Sequence, residues 1–194
     1  MAEVKGVLIN AWIQFLKARF RIDTVAEAIE KLDPGDRKQL AGSFLDSSWY
    51  SFDSQRLLSI VTRIVAPKAN RDLSVELGYF IADYAFNKVY RNMISTVPQK
   101  QLELSWIEEF LFRGLRRLEG EMTGVTSCRL RWYYESMAEF SPGLCGSTVG
   151  FAVRDVELAG GSNVKAGHPI TKCISGGNDC CEVTLEWTEA ESSG

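Results

Sequence analysis

Hydrophobic residues in the first two-thirds of the chain recur with helical spacing. Leu8, Trp12, Phe15 and Leu16, for example, form one apolar stripe. Over residues 70–93 apolar residues occupy nearly every face of the predicted helix, which indicates a central helix buried on several sides. The predicted helices span about 4–20, 24–29, 37–45, 53–65, 70–93 and 105–118.

The hydrophobic pattern changes its period after Gly124. Apolar and polar residues alternate over 128–134, which predicts a half-buried strand. A further helix is predicted from Pro142, and strands over about 164–171 and 180–188 form a predicted hairpin. We therefore predict an α+β fold, in which the helical N-terminal two-thirds packs on a small antiparallel sheet formed by the C-terminal third. We expect one domain, 1–188, and a flexible tail, 189–194.

The composition is that of an ordinary globular protein. Of the 194 residues 45% are hydrophobic and 24% are charged, and this length allows a sizeable core. The formal net charge of −3 lacks the basic excess expected of a nucleic-acid partner. No signal-peptide pattern is present, and no window approaches the roughly 18 apolar residues of a membrane span. We therefore expect a cytoplasmic protein whose cysteines are reduced thiols or metal ligands.

No sequence motif predicts catalysis. The Gly-x-Ser-x-Gly, P-loop and Gly-x-Gly-x-x-Gly motifs do not occur, and the acidic pairs are typical of solvated surfaces. A pair formed by His168 with Cys145 or Cys173 is the one nucleophilic arrangement left open. We therefore expect a protein that is not an enzyme.

Short motifs along the chain resemble one superfamily of ligand-binding domains. VKGVLIN at 4–10, leading into an aromatic helix, resembles the opening of haem-NO-binding (H-NOX) domains. Trp49-Tyr50 and ELGYFIA at 76–82 resemble a paralogous family expanded in myxobacteria and related bacteria, which is similar to H-NOX and vinyl-reductase-type domains. The cysteine-rich run 173–183 is similar to the vinyl-reductase-type ending. The same superfamily includes subunits of the TRAPP tethering complex.

The resemblance to H-NOX domains raises the question of haem. Those domains hold haem through a histidine on a helix, with a Tyr-x-Ser-x-Arg motif at the propionates. The single histidine of this chain, His168, falls on a predicted strand beside Pro169, and the Tyr-x-Ser-x-Arg triplet does not occur. We therefore expect no haem bound in that manner.

The resemblance also suggests zinc. Relatives in phenol-sensing transcription activators carry a structural zinc held by cysteines and a glutamate beside an aromatic-ligand pocket. Their last two cysteine ligands are spaced like Cys173 and Cys181, but Ile170 stands at the position of the glutamate. The nearest replacements for the missing ligands are Cys145 and His168, and such a Cys/His set suits tetrahedral zinc.

Strand parity argues against this zinc site. In a regular strand His168 and Cys173 face opposite sides, so the four ligands converge only if Pro169 or a bulge resets the register. The alternative is that the cysteines are free thiols.

Two functions from different classes fit the sequence. The first is a sensory or regulatory module that binds a small hydrophobic ligand in an apolar pocket and signals through a partner protein. Its candidate pocket residues are Trp12, Phe80, Tyr84, Phe110, Trp132 and Phe151. These aromatic residues also suit a completely filled core. The second is a ligand-free docking protein that acts by homodimerisation or complex assembly, through an aromatic surface such as Trp49-Tyr50-Phe52 or an apolar patch on the first helix.

Overall fold

The computed structural model describes residues 2–68, 71–105, 111–135 and 141–189. It confirms the predicted α+β class. The helices are α1 (Gly6–Arg19), α2 (Ile22–Glu30), α3 (Pro34–Leu40), α4 (Asp53–Val65), α5 (Arg71–Tyr84), α6 (Pro98–Ser105) and α7 (Pro142–Leu158). The strands are β1 (Glu3–Lys5), β2 (Trp49–Ser51), β3 (Phe112–Arg113), β4 (Arg116–Gly124), β5 (Ser127–Tyr134), β6 (Gly161–Gly167) and β7 (Cys181–Glu189). Within these ranges no helix combines the length and apolarity needed to cross a bilayer.

The strands form two antiparallel sheets. The smaller sheet has the order β2-β1-β3 and was not predicted, because two- and three-residue strands are too short to show an alternating pattern. The larger sheet has the order β4-β5-β7-β6, so β7 lies between two strands that precede it in the chain. This larger sheet is the one predicted for the C-terminal third.

The helix predicted over 105–118 is wrong in its second half. β3 and β4 occupy this part of the chain, and residues 106–110 lie outside the described ranges. Leu115 and Leu118 have helical spacing, but Leu118 lies opposite Trp132 in the β4–β5 ladder. Tertiary pairing therefore overrides a short apolar pattern with helical spacing.

The long helix predicted over 70–93 is divided in the structure. α5 ends at Tyr84 and continues as a π-helical turn, Ala85–Val89, and a 3₁₀ turn, Arg91–Met93. The predicted C-terminal hairpin also differs. Its two strands pair, but the connection between β6 and β7 contains two 3₁₀ turns, Ile170–Lys172 and Ile174–Gly176.

Buried side chains form two hydrophobic cores. The N-terminal core lies among α1, α2, α4 and α5, and the C-terminal core lies between the larger sheet and α7. Tyr134, on β5, packs against both cores. The two cores therefore meet at a junction near Tyr134.

The backbones of α5 and α7 meet at two glycines. A Cβ atom on Gly78 would overlap the carbonyl oxygen of Ser147, and one on Gly150 would overlap that of Val75. Each helix thus presents a glycine to the main chain of the other. Only glycine allows the two helices to approach this closely.

We expect Gly78→Ala and Gly150→Ala each to destabilise the protein by about 2–3 kcal/mol, because the added methyl group overpacks a backbone contact. Chemical unfolding measures the effect. Gly143→Ala is the matched control, since its Cβ would lie at an ordinary 3.6 Å from Ser74 Oγ. Equal stability of all three variants would contradict this account of the α5–α7 contact.

Candidate metal centre and adjoining cavity

Four side chains that can bind a metal meet where α7, β7 and the β6–β7 connection converge. Cys145 lies near the start of α7, and Cys181 is the first residue of β7. His168 directly follows β6, and Cys173 lies between the two 3₁₀ turns. One ligand atom from each residue lies within 4.8 Å of all the others.

Two of the three sulfur separations are close to those of a tetrahedral thiolate site. The Sγ atom of Cys173 lies 3.4 Å from the Sγ atom of Cys181 and 3.7 Å from that of Cys145. Zinc–sulfur bonds of about 2.3 Å in tetrahedral geometry place two sulfurs about 3.8 Å apart. Cys145 and Cys181 are closer, at 2.8 Å, and would move apart by about 1 Å around such an ion.

The register change required by the sequence is present. β6 ends at Gly167, and Pro169 leads into the first 3₁₀ turn instead of a continuing strand. The β6–β7 pairing also shifts between Ser162 and Lys165. His168 and Cys173 therefore reach the same side despite their opposite parity in the sequence.

Hydrogen bonds orient the candidate ligands. The His168 Nδ1 atom lies 2.7 Å from the Glu182 carbonyl oxygen, which can only accept a proton. A hydrogen on Nδ1 donated to this carbonyl is the arrangement in which a histidine binds a metal through Nε2. The Asn178 side chain donates to the carbonyl oxygens of Thr171 and Cys173 and so holds the loop that carries Cys173.

The thiols of the cluster differ from a thiol elsewhere in the core. Cys145 donates a hydrogen bond to Cys181, which lowers the pKa of Cys181 to about 6 and raises that of Cys145. Burial raises the pKa of Cys128 to about 12, although a hydrogen bond with the Leu185 backbone acts to lower it. The cluster therefore favours a thiolate, the form that binds metals.

The three cysteines of the cluster are shielded from solvent, and His168 is half-buried. The cysteines are buried, with Cys145 7%, Cys173 3% and Cys181 1% exposed. Four protein ligands with no open position are typical of a structural metal site. Cys180 is partly exposed and Cys128 lies within the sheet, and neither belongs to the cluster.

A cavity of about 90 Å³ lies at the junction of the two cores. Most of its wall is apolar, with polar groups from α4, α6, β4 and α7. Gln101 Nε2 donates to Asp155 Oδ1 at 2.6 Å, and Arg116 Nη1 donates to Thr148 Oγ1 at 2.8 Å. The lining residues important here are Leu8, Gln55, Ile81, Phe86, Met93, Gln101, Arg116, Trp132, Leu144, Thr148, Phe151, Ala152 and Asp155.

The cavity adjoins the candidate metal centre. Trp132 and Thr148 line the cavity and also a small crevice formed with Cys145, His168 and Cys181. Thr148 lies one helical turn after Cys145 on α7. The two candidate sites therefore share a wall.

The structure separates the predicted pocket residues into two groups. Trp132 and Phe151 line the cavity. Trp12, Phe80 and Tyr84 lie in or against the N-terminal core, where Trp12 Nε1 donates to Thr62 Oγ1. Phe110 lies outside the described residues. Gln55, Gln101, Arg116 and Asp155 were missed, because only the tertiary fold brings these polar residues to one cavity.

The aromatic residues considered for docking make contacts within the chain. The cationic groups of Lys5 and Arg113 lie over the Trp49 ring, 4.7 and 4.1 Å from its centroid. Tyr50 and Phe52 pack against the N-terminal core. These contacts give Trp49-Tyr50-Phe52 a role in supporting the smaller sheet.

Comparison with solved structures assigns the fold. An H-NOX protein from Shewanella oneidensis, an iron(II)-state variant, aligns with a TM-score of 0.69 at 18% identity over 97% of this chain and 98% of its own. The iron(II) unliganded H-NOX protein from K. algicida aligns with a TM-score of 0.67 at 11% identity, over 98% and 100%. No family model and no curated protein matches the chain. The chain has the fold of H-NOX domains.

The cavity residues do not fit a histidine-held haem. The only histidine in the sequence, His168, lies in the cysteine cluster and is bonded to Glu182. Among the described residues that line the cavity, Met93 is the one side chain of a type that commonly ligates haem iron. The absence of a haem held by a helical histidine stays a prediction from the sequence, supported by this geometry.

A charged network covers the sheet beside the candidate metal centre. Glu182 is 8% exposed, and its carboxylate accepts hydrogen bonds from Arg131 at 2.9 Å and Lys172 at 2.7 Å. Burial raises the pKa of Glu182, but the hydrogen bonds and charges of Lys172 and Arg131 outweigh burial and lower it overall. Because Lys172 belongs to the β6–β7 connection, this network ties that connection to β7.

We expect Glu182→Gln to destabilise the metal-free protein by about 1 kcal/mol at neutral pH. The folded-state pKa of Glu182 is lowered, so its stabilising effect is present above its ordinary pKa near 4.5 and is lost as the pH falls through the folded-state value. Urea unfolding in a chelator, at about pH 7 and about pH 3, measures this difference. If the variant and the wild-type protein still differ in stability at about pH 3, the charge of Glu182 is not the source of the difference.

Proposed function

We propose that this chain is a non-enzymatic regulatory module that binds a small, largely apolar molecule in the cavity and passes the signal to a partner protein. The observation that carries the proposal is the cavity at the junction of the two cores. A mostly apolar site with a few convergent polar groups is the usual form of a small-molecule site. A ligand there contacts α5, α7 and the sheet together, so binding changes how the two halves pack.

The fold similarity supports this proposal. The H-NOX proteins compared above include one from S. oneidensis in an iron(II) NO state, which aligns with a TM-score of 0.66 at 18% identity. Another neighbour, with a TM-score of 0.58, is described in terms of H-NOX activation. Such proteins bind a small molecule in the same fold. In this chain we propose a free small molecule as the ligand, and not a gas bound to haem iron, because His168 does not line the cavity.

The proposed metal is zinc, held by Cys145, His168, Cys173 and Cys181. The convergence of four ligand atoms from α7, β7 and the connecting loop supports it. Zinc prefers sulfur and imidazole ligands in tetrahedral geometry. When bound, the ion would link α7 to the sheet and fix the position of the cavity wall. Its proposed role is structural.

We expect purified protein to contain about one zinc ion per chain. Cys173→Ser and Cys181→Ser should each abolish retention of zinc. Metal removal should lower the free energy of unfolding by about 4 kcal/mol relative to protein in free zinc at a thousand times the Kd. Native mass spectrometry and thermal unfolding measure both effects.

Cys180→Ser is the matched control for the zinc variants, because Cys180 neighbours Cys181 but lies outside the cluster. It should retain zinc and stability. Equal metal content in all three variants would end the zinc proposal. A Cys145–Cys181 disulfide that persists after the protein has been treated with a reductant would contradict the zinc proposal as well.

We expect Ala152→Leu to fill the cavity and abolish binding of benzene or xenon, probes that enter dry apolar cavities. Ala152 is 6% exposed and lines the cavity. Stability should change by less than about 1.5 kcal/mol, since the added volume occupies existing space. Probe titration monitored by NMR measures binding. Ala18→Leu, the same change on the exposed face of α1, should leave binding intact.

Two results would contradict the regulatory proposal. The first is a wild-type protein that binds neither probe and forms a tight dimer without any retained molecule, which favours docking. The second is stoichiometric haem uptake, seen as Soret absorption. It would mean that the ligand binds to haem iron and not directly to the cavity wall.

A further inference from the structure

One polar atom in the cavity wall lacks a partner. Gln55 lies in the first turn of α4, is 5% exposed and lines the cavity. Its Oε1 atom is buried and, within the described ranges, accepts no hydrogen bond. Buried side-chain amides are normally satisfied, so an orphaned acceptor at a cavity points to a ligand.

A second glutamine in the same wall shows the usual arrangement. Gln101 Oε1 accepts from the Ser95 backbone N–H at 2.7 Å, and its Nε2 donates to Asp155 at 2.6 Å. Gln101 is thus fixed within the protein. Gln55 differs from it, because Gln55 lines the cavity while its Oε1 atom accepts no hydrogen bond within the described part of the chain.

The surroundings restrict what such a molecule can be. Apolar side chains from α1, α5 and α7, including Leu8, Ile81 and Leu144, form the wall together with Gln55. The two charged residues of the described wall, Arg116 and Asp155, are bonded within the protein to Thr148 and Gln101. The apolar remainder of the wall disfavours a charged molecule, and an orphaned acceptor favours a donor over a second acceptor.

We propose that the cavity selects a neutral, largely apolar molecule with one hydrogen-bond donor, whose N–H or O–H is donated to Gln55 Oε1. This inference rests on the proposed ligand-binding function. It adds the chemical class of the ligand and the residue that selects it.

Indole and benzofuran test the inference, because they are nearly isosteric and only indole carries a donor. We expect wild-type protein to bind indole about tenfold more tightly than benzofuran, as one buried hydrogen bond allows. Gln55→Met keeps the unbranched shape without the acceptor, and should bind the two probes equally with no loss of melting temperature. Isothermal titration measures the affinities.

Gln39→Met is the matched control, because Gln39 lies on α3, donates to Ser54 Oγ and does not line the cavity. It should keep the preference for indole. The wild-type comparison needs no variant, so the inference stays testable if Gln55→Met fails to fold.

The outcomes separate the two proposals. Equal binding of both probes by wild-type protein, abolished by Ala152→Leu, overturns the role of Gln55 and leaves the cavity function standing. Tighter binding of benzofuran has the same meaning. Binding of neither probe overturns both proposals.

Discussion

The close approach of α5 and α7 determines how the two halves of this molecule meet. Gly78 and Gly150 place each helix against the main chain of the other. α5 contributes Leu77 and Ile81 to the N-terminal core, whereas α7 contributes Val149 and Val153 to the C-terminal core. The distance between the two cores therefore follows from one backbone contact. The cavity is the space left beside that contact, where the larger side chains of the two cores do not meet.

α7 is the element that connects the candidate metal centre with the cavity. Cys145 near its start reaches the cluster, while Thr148, Phe151 and Asp155 along its next turns line the cavity. A rigid helix transmits a displacement at one turn to the next, because packed interiors deform little. The same helix therefore carries a residue of the cluster and part of the cavity wall.

The sequence predicts the elements that carry long or regular patterns. α4 matches its predicted bounds from Asp53 to Val65, and β5 and β7 follow from alternating apolar residues. β1 and β2 are too short for any pattern, and β4 was assigned to a helix because Leu115 and Leu118 have helical spacing. Local periodicity therefore gives the class and most helices, but not the smaller sheet.

The candidate sites divide in the same way. All four cluster residues were suggested by the sequence. Their convergence depends on Pro169 and the 3₁₀ turns, and the alternation of side chains along a strand does not predict these turns. The polar cavity residues show no local signal. Gln55 and Asp155 are a hundred positions apart in the sequence, and only the fold brings both to one cavity.

The position of β7 has a consequence for the order of assembly during synthesis. β7 lies between β5 and β6, so β6 has no strand to pair with until residues 181–189 leave the ribosome. β5 can pair with β4 earlier but exposes its other edge until then. The N-terminal helices can fold while the C-terminal half is still incomplete. β7, the last of the strands in the described ranges, thus covers the open, aggregation-prone edge of β5.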